Sequence, residues 1–407
     1  MAALDLTAIT PVLKEIYPDG APPQLVYKNN PFFAMVPKFK EAYGESYKVP
    51  LIYGNPQGRS ATFATAQTNQ TAGKYGAFDV TVVSDYATAQ ITGEVIDKTR
   101  NDKGAFVRAV KSEMDGALNQ LTRSIAHSLY NNGGGAIGQI ATTATVASAT
   151  LILSNPEDVV HFEIGQVIAA ASTDGTSGSL RTGTATISAI DRSAGTITTA
   201  GGNWSTQITS LATSDYLFVS GDFGGKAKGL NAWCPSSAPS STSFFGMDRS
   251  VDTDRLGGIR YDGSSQAIEE ALQDGCERAA RGGGQPDIIF CHPKQVANLS
   301  KALGSKAMYD KRYSDVGNIG FRTIKIDTPV GTVDVVPDIN CQPAVAWGLQ
   351  MDTWVLISLG DTPKMLDDDG MAMLRTASSD AVELRCVSRH QLACRAPGFN
   401  VRIALPA

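Results

Sequence analysis

The chain has 407 residues, of which 42% are hydrophobic and 18% charged, and its formal net charge is −5. This length suits two or three domains with buried cores, and the acidic balance argues against a nucleic-acid binder built around a basic domain. No apolar run is long enough to span a membrane, and the start at Met1 lacks the segments of a secretory signal. The six cysteines are scattered without a C-x-x-C pair, which indicates reduced, buried thiols.

Residues 1–45 are typical of an extended N-terminal arm. Six prolines remove backbone donors and prevent long helices, yet apolar and aromatic side chains continue to Phe39. A disordered tail would not carry so many aromatic side chains. We therefore expect the arm to lie on a neighbouring subunit, with Phe32 and Phe33 among its contacts.

Residues 46–93 predict a long, extended β-hairpin loop. Apolar side chains alternate with other residues in the runs that begin at Tyr47 and Phe78, and a polar, glycine-containing stretch separates the two runs. Arms of roughly 20 residues would span about 65 Å, and a two-stranded ribbon of that length is marginal alone in water. The loop therefore needs a partner surface on another subunit. The two charged residues of its tip, Arg59 and Lys74, are candidate contact residues.

Residues 94–135 contain the strongest helical pattern of the chain. Apolar residues recur every three or four positions from Phe106 to Leu129, as one stripe of an α-helix, and a run of Asn and Gly ends the pattern. An unbroken helix would be roughly 55 Å long. Gly104 is an alternative start for it.

Residues 136–225 differ sharply in composition from their surroundings. They hold no lysine, are rich in Thr, Ser, Ala and Gly, and contain short strand-like runs separated by turn residues. Seven acidic and two basic side chains give this stretch a net charge of −5, equal to that of the whole chain. We expect an inserted small β-domain.

The remainder of the chain predicts a linker followed by mixed α/β structure. Residues 226–263 are predicted to begin with a polar linker that is rich in Pro and Ser. Residues 264–362 alternate helical and strand-like patterns. Residues 363–407 predict further strands.

No sequence motif indicates an enzyme. The chain lacks the phosphate-binding, dinucleotide-binding, zinc-protease and serine-hydrolase signatures. Asp367, Asp368 and Asp369 precede a glycine as in a calcium loop, but position one of that loop would be Met365, so a solvated acidic turn is expected. With only four histidines, a histidine-rich metal site is hard to build. We predict no catalytic, cofactor-binding or metal-binding residues.

Three stretches carry a resemblance to a known family. They are residues 94–134 through the amphipathic helix, residues 286–293 with the helix that follows, and residues 396–399 before the last strand. With the arm and hairpin ahead of them, this layout resembles the major capsid (coat) proteins of tailed bacteriophages, which have the Hong Kong 97 phage capsid fold shared with encapsulins. The resemblance covers nearly the whole chain.

The resemblance implies an α+β phage capsid fold with an arm, an extended hairpin loop, a spine helix, peripheral and axial domains, and an inserted β-domain. In those terms residues 94–135 hold the spine helix of the peripheral domain. Residues 226–263 are a linker with a segment of the peripheral domain. Residues 264–362 are the axial domain, and residues 363–407 are C-terminal strands that return to the peripheral domain.

The implied function is self-assembly, through pentamers and hexamers, into the icosahedral head of a tailed bacteriophage that encloses double-stranded DNA. The expected partners are further copies, a portal, a separate scaffold, decoration proteins and weakly, non-specifically contacted DNA, with no membrane and no cofactor. The expected location is the virion capsid, assembled in the host bacterial cytoplasm. Some family members begin with a long charged segment that is cut off; this chain begins with the arm, so a separate scaffold, or none, is expected.

Two alternatives for the function stay open. An encapsulin-like cage around protein cargo shares the fold, and a β-rich tail or adhesion protein would explain residues 136–225 but not the spine helix. Some family members also cross-link a hairpin Lys to a distant Asn. Lys74 and Asn400 are the candidates by position, and the alternative is that Lys74 is a solvated turn residue.

A basic cluster lies at the start of the spine helix and consists of Lys98, Arg100, Lys103, Arg108 and Lys111. One interpretation is contact with packaged DNA phosphates or with acidic residues of a neighbouring subunit. The other is a solvated helix face.

Overall fold

The computed structural model describes residues 30–42, 44–99, 103–303, 323–366, 373–376 and 379–406. The helices are α1 Pro31–Met35, α2 Phe63–Thr68, α3 Gly93–Thr99, α4 Lys103–Ser128, α5 Trp204–Gln207, α6 Leu230–Trp233, α7 Ile268–Arg281 and α8 Pro293–Leu303. The strands are β1 Lys38–Phe39, β2 Tyr47–Gly54, β3 Lys74–Val80, β4 Val83–Thr92, β5 Ala136–Gln139, β6 Thr150–Ile152, β7 Val167–Ala171, β8 Ala185–Asp191, β9 Thr196–Thr199, β10 Tyr216–Val219, β11 Ile259–Asp262, β12 Ile288–Cys291, β13 Ile324–Thr328, β14 Gly331–Pro337, β15 Val345–Leu349, β16 Trp354–Ser358, β17 Lys364–Met365, β18 Met373–Arg375, β19 Ala381–Cys394 and β20 Val401–Ala404. Short 3-10 turns lie at Pro156–His161, Met351–Thr353 and Pro397–Phe399.

The first sheet is built around the long strand β19. Strands β4, β16, β17 and β18 all pair with β19 in antiparallel fashion, and β1 joins β16 in parallel. The long helix α4 packs against β4 and β19. Leu121 and Ile125 of that helix, and Leu129 directly after it, are buried in the core that results. The helix face follows the 3.6-residue period because the sheet covers one side of it.

The second sheet has the order β5-β10-β7-β8-β9-β6 and lies entirely within residues 136–219. Its core holds only residues of the same stretch, with Trp204, Phe162 and Leu217 fully enclosed. The indole of Trp204 donates to the Ala149 carbonyl at 2.9 Å, which satisfies its one polar group. Where the stretch joins the rest of the chain, its two ends lie side by side, and the Gly224 amide donates to the Gly134 carbonyl at 2.9 Å.

The third sheet has the order β11-β20-β15-β12-β14-β13 and mixes parallel with antiparallel pairs. Helices α7 and α8 pack together beside it. Helix α7 carries acidic residues in its first turn and basic residues in its last, which suits the helix dipole. Leu272 and Cys276 of this helix are buried with Ile289 and Ile403 of the sheet.

The hairpin differs in length from the prediction. Strands β2 and β3 pair over seven registered positions, and β4 leaves the hairpin to pair with β19 from Thr92 to Val83. Alternation of apolar residues indicates strands but does not say which strand pairs with which, so the predicted arms were too long.

The helical stretch contains α3 and α4, and residues 100–102 between them lie outside the described part of the chain.

Three segments also lie elsewhere than predicted. Strand β16, placed by the prediction in the axial stretch, belongs to the first sheet, and β20, expected in the peripheral domain, belongs to the third. Residues 226–263 were predicted as a linker with a segment of the peripheral domain. Leu230 and Trp233 are fully buried in the core that contains α4, but β11 enters the third sheet. The mainly polar composition of residues 226–263 gave no indication that a few of their apolar side chains are buried.

Candidate assembly surfaces

The base of the hairpin is fixed to the body of its own chain. Phe78 is fully buried, and its ring centroid lies 4.9 Å from that of Trp233 and 6.3 Å from that of Phe244. The Asp79 amide donates to the Phe245 carbonyl at 2.8 Å. The sequence prediction, that the rest of the chain offers no partner to the hairpin, was therefore wrong for its base.

The tip of the hairpin, in contrast, has no core. Helix α2 contains no buried residue, although the tip is held closed by two backbone hydrogen bonds between Gln57 and Thr71. Ile52, Phe63 and Tyr75 are 65%, 78% and 71% exposed. Ile52 and Tyr75 are paired across β2 and β3, and an exposed apolar pair of this kind marks a surface for protein contact.

The two charged residues predicted as tip contacts are available at the surface. Arg59 and Lys74 are both exposed, and within the described residues neither forms an ion pair. The contact of these two side chains with a neighbouring subunit remains a prediction.

Phe32 and Phe33 lie in the core of their own chain. The Phe32 ring is fully buried between Tyr130 and Phe290, with centroid distances of 5.3 Å and 5.2 Å. Its amide donates to the Asp338 carboxylate at 3.2 Å. Phe33 is 9% exposed. This corrects the prediction that these rings contact a neighbour: the aromatic composition indicates burial but not which chain provides it, and a fully buried ring has no surface left to offer.

The side chains of the basic cluster all lie outside the described part of the chain. Arg100 lies outside the described residues. The side chains of the other four members lie outside the described part of the chain as well, although their backbones belong to α3 and α4; these residues are Lys98, Lys103, Arg108 and Lys111. Residues 1–29 of the arm and the acidic run at residues 367–369 also lie outside it.

Asn400 does not suit the role of a cross-linking partner. It is fully buried, and its side-chain oxygen accepts hydrogen bonds from Trp354 Nε1 at 2.8 Å and from the Gln350 amide at 2.9 Å. Its amide nitrogen donates to the Ala396 carbonyl at 3.0 Å. An amide enclosed and bonded on both sides is a structural connector between β16, β20 and the turn before β20.

An arginine-lined cleft lies between the hairpin and the body, and sequence reasoning missed it. The cleft has a volume of about 570 Å³. Its basic residues come from three separate segments and are Arg255, Arg278, Arg281 and Arg395. Its apolar lining includes Leu51, Ile52 and Phe399. No local motif signals it, because the four arginines meet only in the folded chain.

A buried polar joint connects α4 to residues 136–225. Arg123 donates to Glu163 at 2.7 Å, and Lys226 Nζ lies 2.8 Å from the Asp85 carboxylate and 3.1 Å from that of Asp222. The Arg123–Glu163 and Lys226–Asp222 pairs cross to the 136–225 stretch, and the Lys226–Asp85 pair links the residue after it to β4. Because these pairs are largely buried, removing one partner leaves an uncompensated buried charge and is costly.

Two histidines meet in the same joint. The ring centroids of His127 and His161 lie 4.0 Å apart. Burial lowers the pKa of His127 to about 4, helped by the charges of Lys226 and Arg123 and opposed by its hydrogen bond to Ala136. Burial, with His127 and Arg123 nearby, also lowers the pKa of His161 well below its usual value. Both rings are therefore neutral near pH 7.

Among the described residues no group of three or more His, Cys, Asp or Glu side chains is arranged to hold a metal ion. None of the described helices is both long and apolar enough to cross a membrane. All six cysteines are buried and free, and burial raises the pKa of Cys234, Cys276 and Cys291 to about 12.

Comparison with known proteins gives one family and one fold. A family model described as SU10 major capsid protein matches residues 51–372. No curated protein matches the chain in sequence.

Among solved structures, the chain is similar to the capsid subunit of cyanophage A-1(L), with a TM-score of 0.54, 12% identity and 93% coverage of both chains. It is also similar to the capsid of a native GTA particle, with a TM-score of 0.50, 8% identity and full coverage of both. A holo-SrpI encapsulin complex from Synechococcus elongatus matches with a TM-score of 0.46, 8% identity, and coverage of 99% and 96%. The capsid likenesses confirm the predicted α+β phage capsid fold.

Proposed function

The chain belongs to the SU10 major capsid protein family and is a self-associating structural subunit of a virion capsid shell, and from this we propose how it assembles. Its copies form the pentamers and hexamers of an icosahedral head around double-stranded DNA. The prediction of a shell-forming subunit is confirmed by the family and the fold. We further propose that assembly takes place in the host bacterial cytoplasm, and that the chain has no enzymatic activity.

The exposed hairpin tip is the observation that supports this proposal most strongly. Ile52, Phe63 and Tyr75 together offer apolar surface that the chain does not cover within its described residues. Burying each such side chain contributes about 1.5–3 kcal/mol. In a closed shell every subunit gives one tip and receives another, so symmetry satisfies all of these surfaces at once.

A triple substitution tests the role of the tip. I52S/F63S/Y75S removes the apolar groups without touching the buried base at Phe78, so the subunit should fold normally. We expect the fraction of protein in closed particles to fall by at least about tenfold, because each lost contact recurs at every subunit.

Val251 supplies the matched control, since it is also 65% exposed but lies outside the hairpin. V251S should assemble as the wild type does. Particle yield is measured by sedimentation and electron microscopy, and folding by near-ultraviolet circular dichroism. Equal yields from the triple variant and the wild type would contradict the proposed role of the tip.

We propose that DNA is contacted weakly and without sequence specificity. The chain carries a net charge of −5. Affinity for DNA scales with the number of phosphates neutralised, so such a shell lets DNA pack inside without binding it tightly. The basic cluster at the start of the spine helix stays a candidate for these few contacts or for pairing with a neighbouring subunit. A portal, a separate scaffold and decoration proteins complete the proposed set of partners.

The contents of the particles separate the phage head from an encapsulin-like cage. The proposed head, isolated from infected cells, should protect double-stranded DNA from nuclease, whereas a cage should enclose protein. The alternative of a β-rich tail or adhesion protein fits poorly, because the likeness to a capsid subunit extends over 93% of the chain and not over residues 136–225 alone.

A further inference from the structure

Among the described residues, the arginine-lined cleft holds more positive than negative charge, because its one acidic lining residue, Asp254, pairs with Arg260 at 2.6 Å. Arg281 pairs with Glu277 at 2.6 Å, and Arg255 donates to the Tyr53 carbonyl at 2.7 Å and lies 3.7 Å from Asp252. Arg278 and Arg395 are exposed and form no ion pair with any described residue. Two guanidinium groups that have no ion pair among the described residues therefore line one open cleft.

The cleft also has an apolar component. Ile52 is 65% exposed and Phe399 is 36% exposed, and both line the cleft beside the arginines. A site of this composition suits an acidic peptide segment that carries apolar side chains next to its carboxylates. Arginine is well suited to it, because its planar fork binds carboxylates bidentately.

One segment of this chain has that composition. Asp367, Asp368 and Asp369 are the only run of three acidic residues in the sequence. Leu366 precedes the run, and Met371 follows it after Gly370, so apolar side chains flank the carboxylates on both sides.

The segment cannot reach the cleft of its own chain. Its two ends are fixed on β19, because the Leu366 amide donates to the Arg385 carbonyl and Met373 pairs with Leu384. The residues between them can extend at most roughly 12 Å from that point before the chain must return. Arg395 lies ten residues further along, which is roughly 33 Å in extended strand.

We propose that the arginine-lined cleft of one subunit binds the segment around Asp367, Asp368 and Asp369 of a second copy. This contact rests on the proposed assembly into a shell, in which such copies are neighbours. Complementary charge specifies which surfaces meet and in what register, while the apolar groups around it contribute burial.

Site-specific cross-linking tests the contact directly. The six native cysteines are buried, so thiols introduced by R278C and D368C are the accessible ones. A short bismaleimide should link R278C of one copy to D368C of another, giving dimers and higher multimers on a denaturing gel of assembled shells. The control pair K294C/D368C, with an exposed lysine outside the cleft, should give at least about tenfold less product, since proximity sets the rate.

Charge reversal gives a second, independent readout. R278E/R395E and D367K/D369K should each lower the fraction of protein in shells by about tenfold or more, because like charges then face each other. All four changes in one chain should restore the yield to within about threefold of wild type. Recovery in the combined variant shows that R278E/R395E and D367K/D369K were each folded and lacked only charge complementarity between the two surfaces.

The outcomes separate this inference from the proposed function. Normal shells without the R278C–D368C product, or with equal product from the control pair, overturn the proposed contact. They do not contradict the proposed assembly into a shell. A wild-type chain that forms no shells overturns both. Shells that form normally from R278E/R395E but retain less DNA show that the cleft binds phosphates, and this result also overturns the contact.

Discussion

Leu118 and Leu121 lie on the same helix stripe but differ in how far the body encloses them. Leu121 is 1% exposed in the main core, whereas Leu118 is partly buried at its edge. We expect L121A to lower the free energy of unfolding of the unassembled subunit by about 2–5 kcal/mol, since a cavity adds to the lost burial. L118A, the matched control, should cost clearly less.

Chemical denaturation of both variants under conditions that keep the subunit unassembled provides the comparison. A cost below about 0.5 kcal/mol for both, as at surface positions, would mean that the helix presents a different face to the sheet.

At this scale the sequence allows the apolar stripe of α4 to be predicted, because a 3.6-residue period depends on local spacing alone. It does not allow the environment of Phe32 to be predicted, since an aromatic residue in an arm is equally suited to its own core or a neighbour's. The cleft arginines were missed for a related reason. Arg255, Arg278 and Arg395 are far apart in the sequence and are brought together only by the fold.

Among the elements, the joint between α4 and residues 136–225 has a definite pH response. The folded state lowers the pKa of His127 to about 4 and that of His161 well below its usual value. A lowered pKa means that the unfolded chain binds protons first as the pH falls. The contribution of these rings is therefore complete above about pH 6.5 and is lost as the pH falls towards 4, at about 1.4 kcal/mol per pH unit for each ring.

Other titratable and charged groups face this pair or lie close by. They are Arg123, Lys226, Asp85, Asp222, Glu163, His292 and Asp158. Asp158 opposes the histidines, because burial raises its pKa to about 7 and its contribution is lost as the pH rises. His390, with a pKa lowered to about 4 by burial, adds to the loss in acid.

A difference measurement isolates the histidine pair from these groups. H127Q/H161Q and the wild type are unfolded by denaturant at several pH values between 7 and 4. The wild type should lose more stability than the variant over this window, by about 3 kcal/mol if one ring accounts for the effect. Parallel pH profiles of the variant and the wild type would show that folding does not lower the pKa values of the two rings.

The 136–225 stretch should be separable from the body. Its sheet and core contain only its own residues, and its ends meet where the Gly224 amide bonds to the Gly134 carbonyl. We expect a chain in which residues 136–222 are replaced by a short glycine link to fold, because the closure needs little loop entropy. The isolated stretch should also fold, with a cooperative thermal transition by circular dichroism.

Two results would contradict this view of the stretch. One is a shortened chain that is insoluble together with an isolated stretch that shows no transition. The other is an Asp85–Lys226 ion pair that no longer contributes to the free energy of unfolding of the shortened chain. Both residues remain in that chain, so their contribution should persist.

The sequence predicts the existence of most elements better than their pairing. The runs of β4, β16 and β20 have strand patterns, yet β4 was assigned to the hairpin and the other two to the wrong sheets. Register and partner depend on contacts between residues far apart in the chain, and an alternating pattern carries no information about them. The composition break at residue 136, in contrast, is local and was visible directly.

For the whole molecule, the account is that one subunit leaves surfaces which only other copies can cover. The apolar tip and the arginine-lined cleft are the two described surfaces of this kind. The order of elements was sufficient to predict a capsid fold, because this family is recognised by layout. It was not sufficient to locate the cleft, which forms where the hairpin, α7 and the end of β19 meet.

Sedimentation velocity of the purified chain at micromolar concentration tests this account most directly. The account predicts species far heavier than the 42.9 kDa chain, namely pentamers, hexamers or closed shells, with electron microscopy of the fastest fraction showing icosahedral particles. A stable, monodisperse monomer of 42.9 kDa over the whole concentration range would contradict it.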